Sequence, residues 1–225
     1  LQGLKSGSDL LKLGINEDNR PLLLQGWKTL EKNQVRIYDL VMDMLSYSKE
    51  REPSLEETDL TAVANDVIEL LEGRAKELNI KIEKKYDPQW KPWQADAEGL
   101  HKALLNIVSN AVDALQETPD AKVTISTLLE NNGRWAQLVV QDNGPGIPPE
   151  IQANIFKPFV STKGSKGTGL GLAVSRKIMR EHGGDVILHS SVGHGAKFIL
   201  RLPLPASDAA GQRRTMLIDE SPAGA

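Results

Sequence analysis

Two asparagines stand four residues apart in Asn106-Ile-Val-Ser-Asn110, and Asp113 follows three residues later. On a helix turning about 100° per residue, these three share one side. Leu100, Leu104, Ile107, Val108, Ala111 and Leu115 fill the other. Such a polar stripe is either a plain solvated face or the wall of a polar site. Further on, Asp142-Asn-Gly-Pro-Gly146 joins one carboxylate to two glycines, directly after the strand-like Leu138–Gln141. A glycine-rich turn there lets backbone approach a flat ligand closely, although an ordinary Asn-Gly turn reads the same way alone. Gly167-Thr-Gly-Leu-Gly-Leu172 opens a helical pattern. Free amides and the helix dipole at such a start attract anions, a triphosphate among them. Its glycines equally suit close helix–strand packing, and the spacing is neither a Walker A loop nor a dinucleotide fingerprint. Between these motifs lie Phe156-Lys-Pro-Phe159 and Ser161-Thr162-Lys163, in a stretch with the Gly, Ser, Lys and Pro content of a long loop.

These groups need a scaffold, and the chain is long enough to supply one. Its 225 residues are 40% apolar and 25% charged, with a net charge of -3, which fits a globular chain with a sizeable core. No basic stripe exists to neutralise a phosphate backbone, so nucleic acid is not an expected partner. There are no cysteines, hence no disulfides and no thiolate-ligated metal. The four histidines have no zinc spacing. No apolar run reaches the roughly 20 residues of a membrane span, so the chain reads as cytoplasmic, or as the cytoplasmic part of a membrane-bound sensor.

Residues 1–52 read as two helices, the first stopping near Gly14 and the second restarting after Asn16–Pro21. Leu23, Trp27, Leu30, Gln34, Ile37, Val41, Met44 and Ser48 alternate intervals of four and three, the seam of a bundled helix. Two helices cannot bury such seams alone, which predicts a homodimer through residues 1–50 forming a four-helix bundle. The alternative is a hairpin packed on its own C-terminal domain. Glu50–Thr58 reads as a linker. Residues 58–205 then alternate helices (Leu60–Leu78, Asp96–Leu115, Thr168–His182) with strands (Ile80–Tyr86, Lys122–Leu129, Trp135–Gln141, Asp185–His189, Ala196–Leu202). Asn131-Asn132-Gly133 is the turn between the second and third of these strands, Lys122–Leu129 and Trp135–Gln141. The overall expectation is α+β: a helical hairpin followed by an α/β sandwich, with residues 206–225 a disordered tail.

In that order and at those intervals, the four motifs resemble the N, G1, F and G2 boxes of sensor histidine kinases, whose ATP-binding module also occurs in Hsp90, MutL and DNA gyrase B. The resemblance covers residues 1–205 and is specific for the kinase branch at Gly167–Leu172. It implies ATP and Mg²⁺ as ligands. Asn110 would be the metal ligand, because a neutral amide oxygen suits a hard ion that keeps phosphate and water as its other ligands. Asn106, Gly144, Gly146, Gly167, Thr168, Gly169, Leu170 and Gly171 would complete the ATP site, with Asp142 accepting from the adenine amino group. Ser161, Thr162 and Lys163 would belong to a mobile lid whose lysine reaches the terminal phosphates. Asp113 stands where the family often has lysine, as in the NtrB-like kinases and MutL, so no phosphate contact is expected from it. Ala196 replaces a frequent threonine, and His101 is read as a packed histidine.

The hairpin resembles the dimerisation and phosphotransfer domain of that family, in which a histidine on the first helix takes the γ-phosphoryl of ATP and passes it to a receiver aspartate of a response regulator. No histidine lies between Leu1 and Leu100, so the acceptor is expected just upstream of Leu1, and the sequence as given should bind ATP without phosphorylating itself. An Hsp90- or MutL-like ATPase is the competing enzyme reading. Its water-activating glutamate would stand at Asn106, which cannot take a proton. A dimeric nucleotide-binding scaffold, or pseudokinase, is the competing non-enzyme reading.

Overall fold

In a computed structural model of the chain, residues 2–48, 52–90, 92–130, 134–161 and 167–204 are described. Thr162, Lys163, the Asn131–Gly133 turn and the 206–225 tail lie outside them.

Helices α1 (Gln2–Asn16) and α2 (Arg20–Ser48) form an antiparallel hairpin. Asn19 caps the second helix, accepting from the Leu22 amide at 3.3 Å. The helices meet through glycine. A Cβ on Gly26 would stand 2.9 Å from the Gly7 carbonyl oxygen, so any side chain there forces the backbones apart. Helix α1 stops near Gly14 as expected, at Asn16, but Gly14 itself is buried inside the last turn, facing Leu23. The leucine seam therefore divides. Leu23 and Leu30 cover the α1 glycines, while Trp27, Val41 and Met44 are 60%, 48% and 58% exposed.

The described residues from 52 to 204 form the expected α/β sandwich. Strands β2 (Lys81–Lys85), β4 (Lys122–Glu130), β5 (Trp135–Asp142), β7 (Ala196–Pro203) and β6 (Asp185–Ser190) lie side by side in that order. Only β2 and β4 run parallel. Helices α3 (Leu60–Glu77), α4 (Ala97–Ala114) and α6 (Gly171–Glu181) pack on one face. Asp59 and Asp96 cap α3 and α4, accepting from the Thr61 and Gly99 amides at 2.8 and 3.0 Å. Leu100, Leu104, Ile107 and Val108 of α4 are at most 2% exposed, packed in one core with Val123, Ile125, Leu138, Phe198 and Leu200. Each such side chain stabilises by about 1.5–3 kcal/mol. That grip fixes the rotation of α4, and with it the direction of the Asn106–Asn110 face.

Four elements depart from the pattern read in the sequence. Part of the supposed linker, Glu56–Thr58, is strand β1, paired antiparallel with β3 (Trp93–Ala95). The Thr58 hydroxyl donates to the Ala95 carbonyl at 2.9 Å. The long loop contains a short helix, α5 (Pro149–Gln152). Helix α6 starts at Gly171 rather than Thr168, because Gly169 sits at φ +69°, outside the helical region.

Candidate functional site

A cavity of about 880 Å³ opens between α4, the β5–α5 turn, the Gly167–Gly171 segment and the end of α2. Of the residues singled out in the sequence, Asn106, Asn110, Asp142 and Gly146 line it, as do Ser161, Gly167, Thr168, Gly169 and Gly171. Gly144 stands behind the wall and supports Asp142. Leu170 is 1% exposed, its side chain in the core while its backbone leads into α6.

The Asp142 carboxylate sits at the end of β5, 6% exposed. Its Oδ1 accepts from the amides of Gly144 and Ala196, at 2.9 and 3.1 Å. Both bonds use the same oxygen, which leaves Oδ2 as an acceptor for a donor entering the cavity. Burial pushes the carboxyl above its ordinary range, and the two amides oppose that shift. Asn143 faces away: it accepts from the Lys122 amide and donates to the Asp120 carbonyl, tying β5 to β4. The turn that follows is pinned at both ends. The Ile147 amide donates to Ser190 Oγ at 2.9 Å, and the Gly193 amide donates to the Pro145 carbonyl at 2.7 Å.

Across the cavity, α6 begins with no side-chain cap and no acidic residue in its first turn. Its leading amides therefore keep their donor capacity and partial positive charge. Gly169 allows the chain to pass over Phe159, where a Cβ would lie 2.6 Å from the Phe159 carbonyl carbon. The Phe159 amide donates to the Gly169 carbonyl at 2.9 Å, so the base of the 153–161 segment is stitched to the glycine motif. Arg176 of α6 holds the same segment from below, with its guanidinium 4.8 Å from the Phe156 ring centre. Asn106 joins α4 to this region through the Gly171 carbonyl. His182 does so at the far end, accepting from the Asp96 amide at 3.1 Å.

These contents suit a purine nucleoside triphosphate. A fixed acceptor stands at one end, uncapped amides at the other, and the Asn106–Asn110 face between them carries amide oxygens of the kind Mg²⁺ accepts.

One wall carries none of the residues singled out in the sequence, although a hairpin packed on its own C-terminal domain is the alternative given above. Tyr38, Asp39, Met42 and Asp43 of α2 line the cavity, as does Lys102 of α4. The 3.6-residue spacing of α2 carried no signal for this, since contacts across 56 to 131 residues leave no local pattern. Asp113, which also lines the cavity, is paired with Arg74 of α3.

Residues 95–206 match the family described as histidine kinase-, DNA gyrase B-, and HSP90-like ATPase. The catalytic domain of histidine kinase ThkA superposes with a TM-score of 0.60 at 32% identity, and the match covers 67% of this chain and 95% of that domain. The chain belongs to the sensor histidine kinases. Other histidine kinases extend the match into the hairpin. The sensory histidine kinase/phosphatase NtrB of Rhizobium meliloti is 30% identical over 220 residues, covering 92% of this chain and 55% of NtrB. AtoS of Escherichia coli K12 is 34% identical over 168 residues, covering 75% of the chain and 27% of AtoS. The chain thus spans from about a quarter to just over half of these relatives. Full-length ShkA in complex with AMPPNP gives a TM-score of 0.70 at 29% identity, covering 80% of this chain and 38% of ShkA. ThkA in complex with the response regulator TrrA gives 0.68 at 27% identity, covering 89% and 58%. Among the described residues, no helix of this histidine kinase chain is long and apolar enough to cross a membrane.

Proposed function

We propose that this chain is the ATP-binding catalytic part of its kinase, and that it presents the γ-phosphoryl of Mg-ATP to a histidine for relay to a response-regulator aspartate. The observation that carries the reading is Asp142, a buried carboxylate held by two backbone amides with its second oxygen available in the cavity. In that role it accepts from the adenine amino group and discriminates against guanine, which presents a carbonyl there. Asn110 holds Mg²⁺, whose charge offsets the negative charge of the phosphates. The α6 amides and Thr168 orient the phosphate oxygens, and Asn106 keeps α6 in place. Lys163, which lies outside the described residues, supplies the positive charge this reading needs at the terminal phosphates. Catalysis here is positioning and electrostatics, with no covalent enzyme group needed.

The acceptor is a histidine supplied from outside these 225 residues, since α1 and α2 contain none. Two hairpins dimerise through the apolar surface of α2, and a receiver domain docks to collect the phosphoryl group; the complex of ThkA with the response regulator TrrA supports such a partner. A water-activating ATPase is disfavoured by Asn106. That side chain is no base, and its amide is committed to Gly171.

Radiolabelled ATP, mixed with a longer polypeptide that includes the residues preceding Leu1, tests the reading. Acid-labile, base-stable phosphohistidine is the expected product. Steady phosphate release with no protein label would support an ATPase instead.

A further inference from the structure

The polar contacts between the hairpin and the nucleotide cavity converge on one turn of α2. Asp43 Oδ2 accepts from the Thr168 hydroxyl at 3.4 Å, and Oδ1 lies 3.6 Å from the Lys102 ammonium. Lys102 also donates to the Ser46 hydroxyl at 2.7 Å, and Lys177 of α6 donates to the Ser46 carbonyl at 3.0 Å. Thr168 lies just before the uncapped start of α6, and Lys102 lies one helical turn before Asn106. A carboxylate from the hairpin therefore occupies a hydroxyl and an ammonium at the phosphate-binding end of the cavity.

The charges around it sharpen the point. Among the described residues lining the cavity, Lys102 is the sole cation, against Asp39, Asp43, Asp113 and Asp142. Asp113 is paired with Arg74, and Asp142 belongs to the opposite end. The two remaining carboxylates, Asp39 and Asp43, are both on α2 and share the single cation Lys102, with Asp43 the one that reaches Thr168. Burial raises the Asp43 carboxyl above its ordinary range and Asp39 adds to that, while Lys102 and Thr168 pull the other way.

We propose that Asp43 is a latch: the docked hairpin and the phosphates of a nucleoside triphosphate compete for Lys102 and Thr168, so that each expels the other. The proposal rests on the nucleotide reading above. Because linkage is reciprocal, docking of α2 weakens triphosphate binding by the same factor by which bound triphosphate weakens docking. The hairpin is then held against the catalytic domain when the site lacks triphosphate and freed when it fills.

Calorimetry on the whole chain with Mg²⁺ tests this, using a non-hydrolysable ATP analogue and, separately, adenosine. Asp43→Ala should bind the triphosphate roughly fivefold tighter or more, the low end of typical coupling. Its adenosine affinity should stay within about twofold of the parent, because the latch touches only the phosphate end. Ser46→Ala, which loosens the same turn without touching the carboxylate, should shift triphosphate affinity in the same direction by less. Unchanged or weaker triphosphate binding by Asp43→Ala overturns the latch alone. Equal tightening for adenosine also overturns it, since competition would not be confined to the phosphates. If neither the parent nor the variants bind triphosphate, the nucleotide reading fails and the latch fails with it.

Discussion

The side-chain amide of Asn106 donates to the carbonyl oxygen of Gly171 at 3.1 Å, joining the middle of α4 to the first residue of α6. The same carbonyl accepts from Ser175 Oγ at 2.8 Å, and Ser175 is fully buried. The distance between the Asn110 face and the anion-attracting start of α6 is thereby fixed from within the fold, before any ligand arrives.

Asn106→Ala should therefore lower stability by about 1 kcal/mol, the usual net value of one such bond. Ser175 still satisfies the Gly171 carbonyl, so the loss should not grow larger. Thermal unfolding should show a midpoint lower by about 2–4 °C. Asn106→Asp should cost more, because it sets an acceptor against an acceptor. A variant as stable as the parent would mean that the bond does not tie the helices.

Asp142→Asn separates folding from binding at one atom. The asparagine oxygen can still accept from Gly144 and Ala196, but an NH₂ group then replaces Oδ2 and faces the donor of adenine. Donor against donor in a buried site costs about 3 kcal/mol or more, so triphosphate affinity should fall by about a hundredfold. Stability should hold or rise. The folded carboxyl titrates above its unfolded value, so its contribution is favourable below the unfolded pKa and is lost as pH rises through the folded one. At neutral pH the ionised group is a cost that asparagine removes. Calorimetry paired with urea unfolding checks both halves.

Much of this was legible in the sequence, and the reasons differ by element. Helix α4 was readable to within a residue, because Asp96 caps it and its apolar positions recur at helical spacing. Strands β4, β5 and β7 showed in alternation and in β-branched content. Strands β1 and β3 were hidden: three residues each, with Glu56 and Glu57 exposed, paired across nearly forty positions. The first helix does stop near Gly14, at Asn16, but the role of that glycine was hidden for a physical reason. Glycine both ends helices and lets them touch, and only the partner helix reveals which role Gly14 has. At the site, Asp142 and the Gly167–Gly171 motif announced themselves through residue type. Asp43 and Lys102 did not, since lone charges on helix surfaces are common and only the docking of α2 brings them together.

Arg176 and Asp185 form a two-pronged ion pair, Nε to Oδ1 at 2.7 Å and Nη2 to Oδ2 at 3.0 Å. The Arg176 guanidinium holds the Asp185 carboxyl below its ordinary range. A depressed folded pKa gives stability that is present above the unfolded value, about 3.9, and lost as pH falls through the folded one. Both side chains are about a third exposed, so solvent screens the pair and its worth is about 0.5–1 kcal/mol. Asp185→Asn should lose that amount at pH 7 by denaturant unfolding. The gap to the parent should shrink in acid and in high salt. Arg176→Lys should lose it too, and should also loosen the 153–161 segment by giving up the planar contact with Phe156.

The apolar residues left on α2 make the last prediction. Trp27, Val41, Met44 and Leu45 are 60%, 48%, 58% and 57% exposed, after α1 has already covered Leu23 and Leu30. A helix whose glycine-lined side is filled has one remaining way to bury such a surface along its length, a second hairpin. Analytical ultracentrifugation should give a dimer at micromolar concentration. Val41→Glu together with Trp27→Glu should give a monomer of intact helicity, because both residues face away from the Gly7–Gly26 contact. Neither lines the nucleotide cavity, so affinity for Mg-ATP should persist in that monomer. A monomeric parent chain would refute the four-helix bundle outright. A double variant that unfolds instead would show that the exposed side of α2 is needed within one hairpin rather than between two.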